Sequence, residues 1–185
     1  MAYAKHAGGV LVTNDHDNGT ADIYEAALSA DRIITLKPGE TITSVAKRMK
    51  KMPLVLDFGG FVESRVIEAA AMAQVVVVPL SFQSTADLTS AVRTITTVEE
   101  HCPRVVILIN NTAKEHVIDL ADMLKARFPK HTIMTVPPSR YIRRLADDGL
   151  TLHDLAARGG IERYQLRTVL PPVEALHAAL DQFSR

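Results

Sequence analysis

The sequence is short of several things, and each shortage closes off a class of function. Among its 185 residues there is one cysteine, Cys102. A lone thiol excludes an internal disulfide and a cysteine-built zinc site, and it fits a reducing cytoplasm. Neither sign of charge is in excess, since Lys plus Arg and Asp plus Glu both number 21. No global field therefore draws the chain to nucleic acid or to a membrane, and any such binding has to come from a local patch. No apolar run approaches the roughly 18 residues of a membrane span. The N-terminus lacks the basic and apolar regions of a signal peptide, and there are no repeats or low-complexity segments. His6, His16, His101, His116, His131, His153 and His177 are scattered, with no i,i+4 pair on a helix, so a histidine-held metal is not expected.

What is present is ordinary for a globular α/β protein: 47% apolar and 23% charged residues. That length supports one domain with a substantial core, expected to span residues 1–185. Within it the core is expected at residues 6–157, with a helical C-terminal segment at 158–185. The most informative stretch is Leu54-Val55-Leu56-Asp57-Phe58-Gly59-Gly60. Its apolar run, without polar alternation, predicts a strand buried on both faces. Asp57 falls at the carboxyl end of that strand, where open α/β sheets bind their ligands. The two glycines let backbone approach an anion closely. The plainer reading is a strand, a glycine turn and a local cap.

Strands and helices alternate along the rest. Met1 to His6 reads as the tail of a helix stopped by Gly8-Gly9, and Val10 to Thr13 as a strand. A polar loop follows, then a helix over Ala21 to Leu28 and a strand over Asp31 to Leu36. Thr43 is placed to cap a helix from Ser44 to Lys51. Beyond the Asp57 strand come a helix over Glu63 to Ala73 and the valine run Val75 to Val78, which reads as a central parallel strand. Helix Asp87 to Glu99, strand Arg104 to Ile109, helix Val117 to Phe128 and strand Thr132 to Val136 continue the alternation. Helices over Tyr141 to Ala146, Thr151 to Ala157 and Val173 to Phe183 end it. The predicted architecture is a mostly parallel sheet with helices on both faces. Polar or turn-forming residues (Asp15 and Asp17, Asp57, Ser81, Asn110-Asn111, Pro137-Pro138) gather along one edge of that sheet, where a ligand belongs.

In order and spacing these segments resemble the ParA/MinD family of deviant P-loop ATPases over about His6 to Ala157. Val10-Leu11-Val12 followed by Asp15-x-Asp17-x-Gly19 resembles the family's second strand and switch I. Leu54 to Gly60 resembles its Walker B strand and the D-x-x-G of switch II. Ala73 to Leu80 resembles the next strand, with Gln74 in place of the usual acidic residue. Val105 to Asn110 resembles the strand ending on the asparagine that helps recognise adenine, and Val136-Pro137-Pro138-Ser139 with Asp148-Gly149 the last core segment. The resemblance implies a dimeric, cytoplasmic partition or positioning ATPase that uses ATP and Mg2+ and works with an adaptor or centromere-binding protein. It implies that Asp15 or Asp17 orients the attacking water or supports magnesium, and that Asp57 holds magnesium through water. It implies as well that Gly19 and Gly60 bind the nucleotide, Gly60 N–H at a terminal phosphate, and that Asn110 and the Pro137-Pro138 backbone frame the adenine.

One part of the pattern is absent. The family's signature loop, K-G-G-x-G-K-[ST], lies between its first strand and first helix, and nothing here matches it. Lys5-His6-Ala7-Gly8-Gly9 lacks the second lysine and the magnesium-binding hydroxyl, and it precedes a strand rather than a helix N-terminus. The switch-like carboxylates favour a segment upstream of Met1 over outright loss of the loop in a pseudo-ATPase. Either way the chain as it stands is expected to be a poor ATPase.

Two other readings are open. In a phosphoacceptor receiver domain, Asp15 and Asp17 would hold magnesium, Asp57 would be phosphorylated, and Ser81 or Ser84 would be the switch hydroxyl. Against it, the fifth strand ends on asparagines rather than lysine, Lys114 comes too late, and the chain is too long. The other is a non-catalytic α/β interaction module. Arg140, Arg143 and Arg144, followed by Arg158, Arg163 and Arg167, match the family's use of C-terminal basic residues for nonspecific DNA. The bland alternative is a solvated face partly paired with Asp147, Asp148 and Glu162. Leu176, Leu180 and Phe183 recur at helical spacing as in MinD's membrane anchor, but Glu174 and Asp181 flank them. Packing is therefore expected for that helix, and no membrane contact.

Overall fold

The computed structural model describes residues 1–14, 24–49, 52–58 and 64–183, with only the backbone of residues 143, 144, 146 and 147. Its contacts gather into two compact units, one of Met1–Arg65 with Arg140–Leu166, the other of Val66–Ser139 with Arg167–Arg185. Each unit holds a three-stranded sheet, and every pairing is parallel. The α/β architecture expected from the alternation is what the chain forms.

In the first unit the strands are β1 (Val10–Thr13), β2 (Ile33–Thr35) and β3 (Leu54–Asp57), in the order β2-β1-β3. β1 is the central strand, and Val10, Leu11 and Val12 are wholly buried. β3, by contrast, is half-buried along its length. The expectation that Leu54 to Leu56 is buried on both faces is corrected here. An unbroken apolar run shows that no face is polar, but it does not separate an end strand from a central one. Helix α1 (Ala2–His6) lies over this sheet, where Ala4, Leu11 and Leu28 form a small core with Tyr24, Ile33 and Val55. α1 is far too short to be stable alone. Arg32 completes it by donating from its guanidinium to the carbonyls of Ala4 and Gly9, at the helix's negative end. Helix α2 (Ile42–Arg48) is capped by Thr41, whose hydroxyl accepts from Ser44 N–H at 3.2 Å, and not by Thr43 as expected. Thr41 holds the extended backbone an N-cap requires.

The second unit takes up α3 (Ser64–Met72) from Val66 onward, and its sheet has the order β4-β5-β6, from Val76–Leu80, Val105–Asn110 and Thr132–Val136. The central strand is β5. The valine run is an end strand, against expectation, and Pro79 supplies the reason. Val76 N–H bonds Arg104 carbonyl at 2.9 Å, so residues 76, 78 and 80 address β5. Pro79 points its missing N–H to the other edge, where no ladder bond is lost. Val78, Leu80, Val105, Ile107 and Ile109 form the core with Ala91, Ile95 and Val98 of α4 (Thr85–Glu99) and Leu120 and Leu124 of α5 (Lys114–Arg127). α4 starts two residues earlier than its periodicity suggests, because Ser84 and Asp87 form a reciprocal capping box.

Four helices follow: α6 (Arg140–Asp147), α7 (Leu152–Ala157), α8 (Gly160–Gln165) and α9 (Leu170–Phe183). α8 falls within the segment 158–185 expected to be helical, although no separate helix was placed there. α9 starts at Leu170 rather than Val173 because Pro171 and Pro172 fit a first helical turn, which lacks N–H acceptors anyway. It packs on β6, with Leu180 buried and Leu176 and Phe183 half-buried. The leucine stripe is thus a packing face, and no described helix is long and apolar enough to cross a membrane.

One ion pair ties the ends of the first unit's sequence together. Lys5 Nζ lies 2.8 Å from Asp154 Oδ2, and the same carboxylate accepts the N–H and hydroxyl of Thr151, each at 2.8 Å. Burial pushes the Asp154 pKa up. The hydrogen bond from Lys5, those from Thr151 and the lysine charge together outweigh it and bring the value down to about 2. A carboxyl depressed in the folded state stabilises fully above its unfolded pKa, near 3.8, and that stability drains as pH falls towards 2. The pair is partly exposed, so its worth is at most about 1 kcal/mol. Lys5→Met should lower stability in urea at neutral pH by about that much and make the acid limb shallower. An acid limb identical to the parent's would show that the pair contributes nothing.

Candidate functional site

Parallel strands deliver their carboxyl ends to one edge of a sheet, and that edge is where the sequence-predicted residues fall. In the first unit the register sets Thr35, Thr13 and Asp57 side by side at the ends of β2, β1 and β3. Thr13 is buried. Asp57 Oδ2 accepts the Tyr24 hydroxyl at 2.8 Å. Tyr24 reaches it because its ring is packed into the small core under α1. Tyr24 was missed in the sequence, where no motif marks it. Asp15, Asp17, Gly19 and Gly60 lie outside the described residues.

The second unit gathers a different group. Asn110 is the last residue of β5, in register with Val136, so the chain runs straight into Pro137 and Pro138 beside it. Pro137 is half-buried and Pro138 exposed. The strand ends are laced together by Thr112, whose hydroxyl donates to Asn110 carbonyl at 3.1 Å and accepts Phe82 N–H at 3.0 Å. Asn111 turns the chain with φ 49°, a left-handed conformation that asparagine tolerates, and its amide sits 3.4 Å from Ser81 Oγ. Asn110 Oδ1 is buried and has no hydrogen-bond partner among the described residues. Such an acceptor costs about 1–3 kcal/mol if left unmet. An N–H donor that reached it would recover that cost.

The triphosphate does not fit the described residues in the same way. Gly8 N–H bonds Lys5 carbonyl at 3.3 Å and Gly9 N–H bonds Ala4 carbonyl at 2.9 Å. The Lys5 ammonium is held by Asp154. The donors that a phosphate loop would turn to an anion are therefore occupied in closing α1. Among the described residues, no three His, Cys, Asp or Glu side chains come together as a metal site.

The remaining candidates have local roles. Ser84 caps α4, and Lys114 is the first residue of α5 rather than the last of a strand. Cys102 is buried, its thiol 3.4 Å from Arg104 carbonyl. Arg140 is exposed, with its guanidinium 5.0 Å over the Tyr141 ring and 2.9 Å from that hydroxyl. Arg143 and Arg144 share its helix, and their side chains lie outside the description. Arg158 and Arg163 are exposed in the same unit; Arg167, exposed too, belongs to the second.

Comparison with protein-family models, with curated proteins and with solved structures finds no match to this chain.

Gly9 tests the structural role assigned to the glycine pair. A Cβ built there would stand 2.4 Å from Pro53 carbonyl oxygen, closer than any real contact. Gly9→Ala must push β1 from the segment entering β3, and it should cost about 1–3 kcal/mol by chemical denaturation. Unchanged stability would mean that the turn is free to move, as a ligand loop would be.

Proposed function

We propose that the chain is a ParA/MinD-like nucleotide-responsive switch that recognises the adenine base but does not by itself turn over ATP. The observation that carries this reading is the buried, unmet Oδ1 of Asn110, one register step from Pro137-Pro138. The parallel strand order and the carboxylate of Asp57 at a strand end support it. In this reading Asn110 Oδ1 accepts the adenine amino group and the proline backbone lines the ring; the role of Asp57, in the other unit, as a carboxylate that holds magnesium through water rests on the resemblance alone. Nothing among the described residues would neutralise a transferring phosphate, and charge stabilisation there is the main part of such catalysis. Cytoplasmic dimers acting with an adaptor on partition or positioning complete the proposal. The rival reading, a non-catalytic interaction module, has no use for an unmet acceptor at this corner.

The full chain should bind adenosine and ADP in preference to guanosine, whose 6-oxo group would set acceptor against acceptor. Asn110→Ala should weaken adenosine about tenfold, the worth of one hydrogen bond to a buried group. ATP turnover should not exceed a buffer control. Equal binding of the two nucleosides, or an Asn110→Ala variant that binds like the parent, would defeat the base-recognition reading. Magnesium-dependent hydrolysis abolished by Asp57→Ala would defeat the inactive one.

The exposed Arg140, with Arg143 and Arg144 on the same helix, is proposed as the contact to nonspecific duplex DNA. Each phosphate neutralised adds about 0.9 to the slope of log affinity against log salt. An Arg140/Arg143/Arg144→Ala variant is expected to bind duplex more weakly and with a smaller slope. Equal affinity and slope would leave these arginines as solvated surface.

A further inference from the structure

At the end of the second unit's sheet away from Asn110 there is a cleft of about 340 Å3 that the proposed function does not use. Thr96 and Glu99, from the last turn of α4, form one side. Arg127, Phe128, Lys130 and His131, from the end of α5 and the approach to β6, form the other. Ligand cavities begin at about 300 Å3, so this one suits a small group.

Its lining is organised by aromatic and ionic contacts. His131 is 5% exposed, and its Nε2 lies 2.9 Å from Glu99 Oε2. Its Nδ1 is buried with no hydrogen-bond partner among the described residues. The imidazole stacks on Phe128 with centroids 6.1 Å apart and planes at 26°. The Arg127 guanidinium stands 5.7 Å over the same Phe128 ring. A ring face, rather than a carboxylate, therefore positions Arg127. Among the described residues neither Arg127 nor Lys130 has an ion-pair partner.

Two terms oppose a negative ligand here. Glu99 is one, but its carboxylate is already engaged by His131. The carboxyl ends of α4 and α5 are the other, each worth up to about half a charge before water and capping reduce it. Val98 and Leu124 carbonyls there already accept the N–H groups of Cys102 and Phe128. Arg127 and Lys130 bring two whole positive charges against the single charge of Glu99 and the helix-end partial charges that these bonds and water reduce. Arginine's planar fork also matches two oxygens of a phosphate at once.

We infer that this cleft is a binding site for a small phosphate group, gripped by Arg127 and Lys130 with the Thr96 hydroxyl available as a further donor. Free phosphate and a small organic phosphate monoester present the same dianionic oxygens, and titrating each separately distinguishes them. The experiment follows backbone amide NMR shifts of the full chain with inorganic phosphate, then with glycerol phosphate, at constant ionic strength set by chloride. Saturable shifts at 96, 99 and 127–131 are expected, with the tighter of the two probes naming the source. Arg127→Ala and Lys130→Ala should each weaken that probe about tenfold. Both side chains are exposed, so an unchanged melting temperature is expected to accompany the loss. Arg127→Lys should recover only part of it, since the charge returns without the fork. No saturation by either probe, shifts confined to other residues, or alanine variants that bind like the parent would each overturn the site.

Discussion

Parallel pairing is the constraint on which the rest of this structure depends. A parallel ladder sends every strand's carboxyl end to one edge, so residues far apart in sequence arrive there together without any contact between their side chains being needed. Thr35, Thr13 and Asp57 meet in this way in one unit, and Leu80, Asn110 and Val136 in the other. The same rule forces a crossover between successive strands, and α2, α4 and α5 lie in the described connections. Chemistry at the carboxyl edge and packing on the faces are thus two consequences of one choice of strand direction.

Much of this was legible because apolar runs and their punctuation are local signals. Val10–Thr13 and Thr132–Val136 were placed to the residue, since each is an apolar or β-branched run between clear breakers. What was not legible is lateral position. β1 and β3 have similar runs, yet one is buried on all sides and the other is an end strand. Only Pro79 carried a readable hint, because a residue without N–H belongs on an edge. Helix starts failed where capping overrode periodicity, as at Thr41 and Ser84, or where prolines opened α9.

The candidate site divides along the same line. Asn110, Pro137 and Pro138 could be aligned from sequence because strand ends are marked by a change from apolar to turn-forming residues. Tyr24 and Arg32 were invisible, because each acts across a gap that sequence spacing does not encode. Tyr24 meets Asp57 only once its ring is packed under α1, and Arg32 reaches the carbonyls of Ala4 and Gly9 from the far side of a strand and a loop.

Polar groups left unmet are more informative than those that are paired. The carboxylate of Asp154 has lysine, backbone and hydroxyl donors, and its function ends in holding α1 to α7. Gly8 and Gly9 look like part of a phosphate loop in one dimension, but their N–H groups are consumed by α1's own carbonyls. A glycine pair binds an anion only when its donors have nothing nearer to bond. Asn110 Oδ1 is in the opposite state, an acceptor removed from water with nothing supplied in return. Leaving it so costs stability, and a base carrying an amino group would recover that cost on binding. The same physical accounting that removes Gly8 and Gly9 as candidates leaves Asn110 as one.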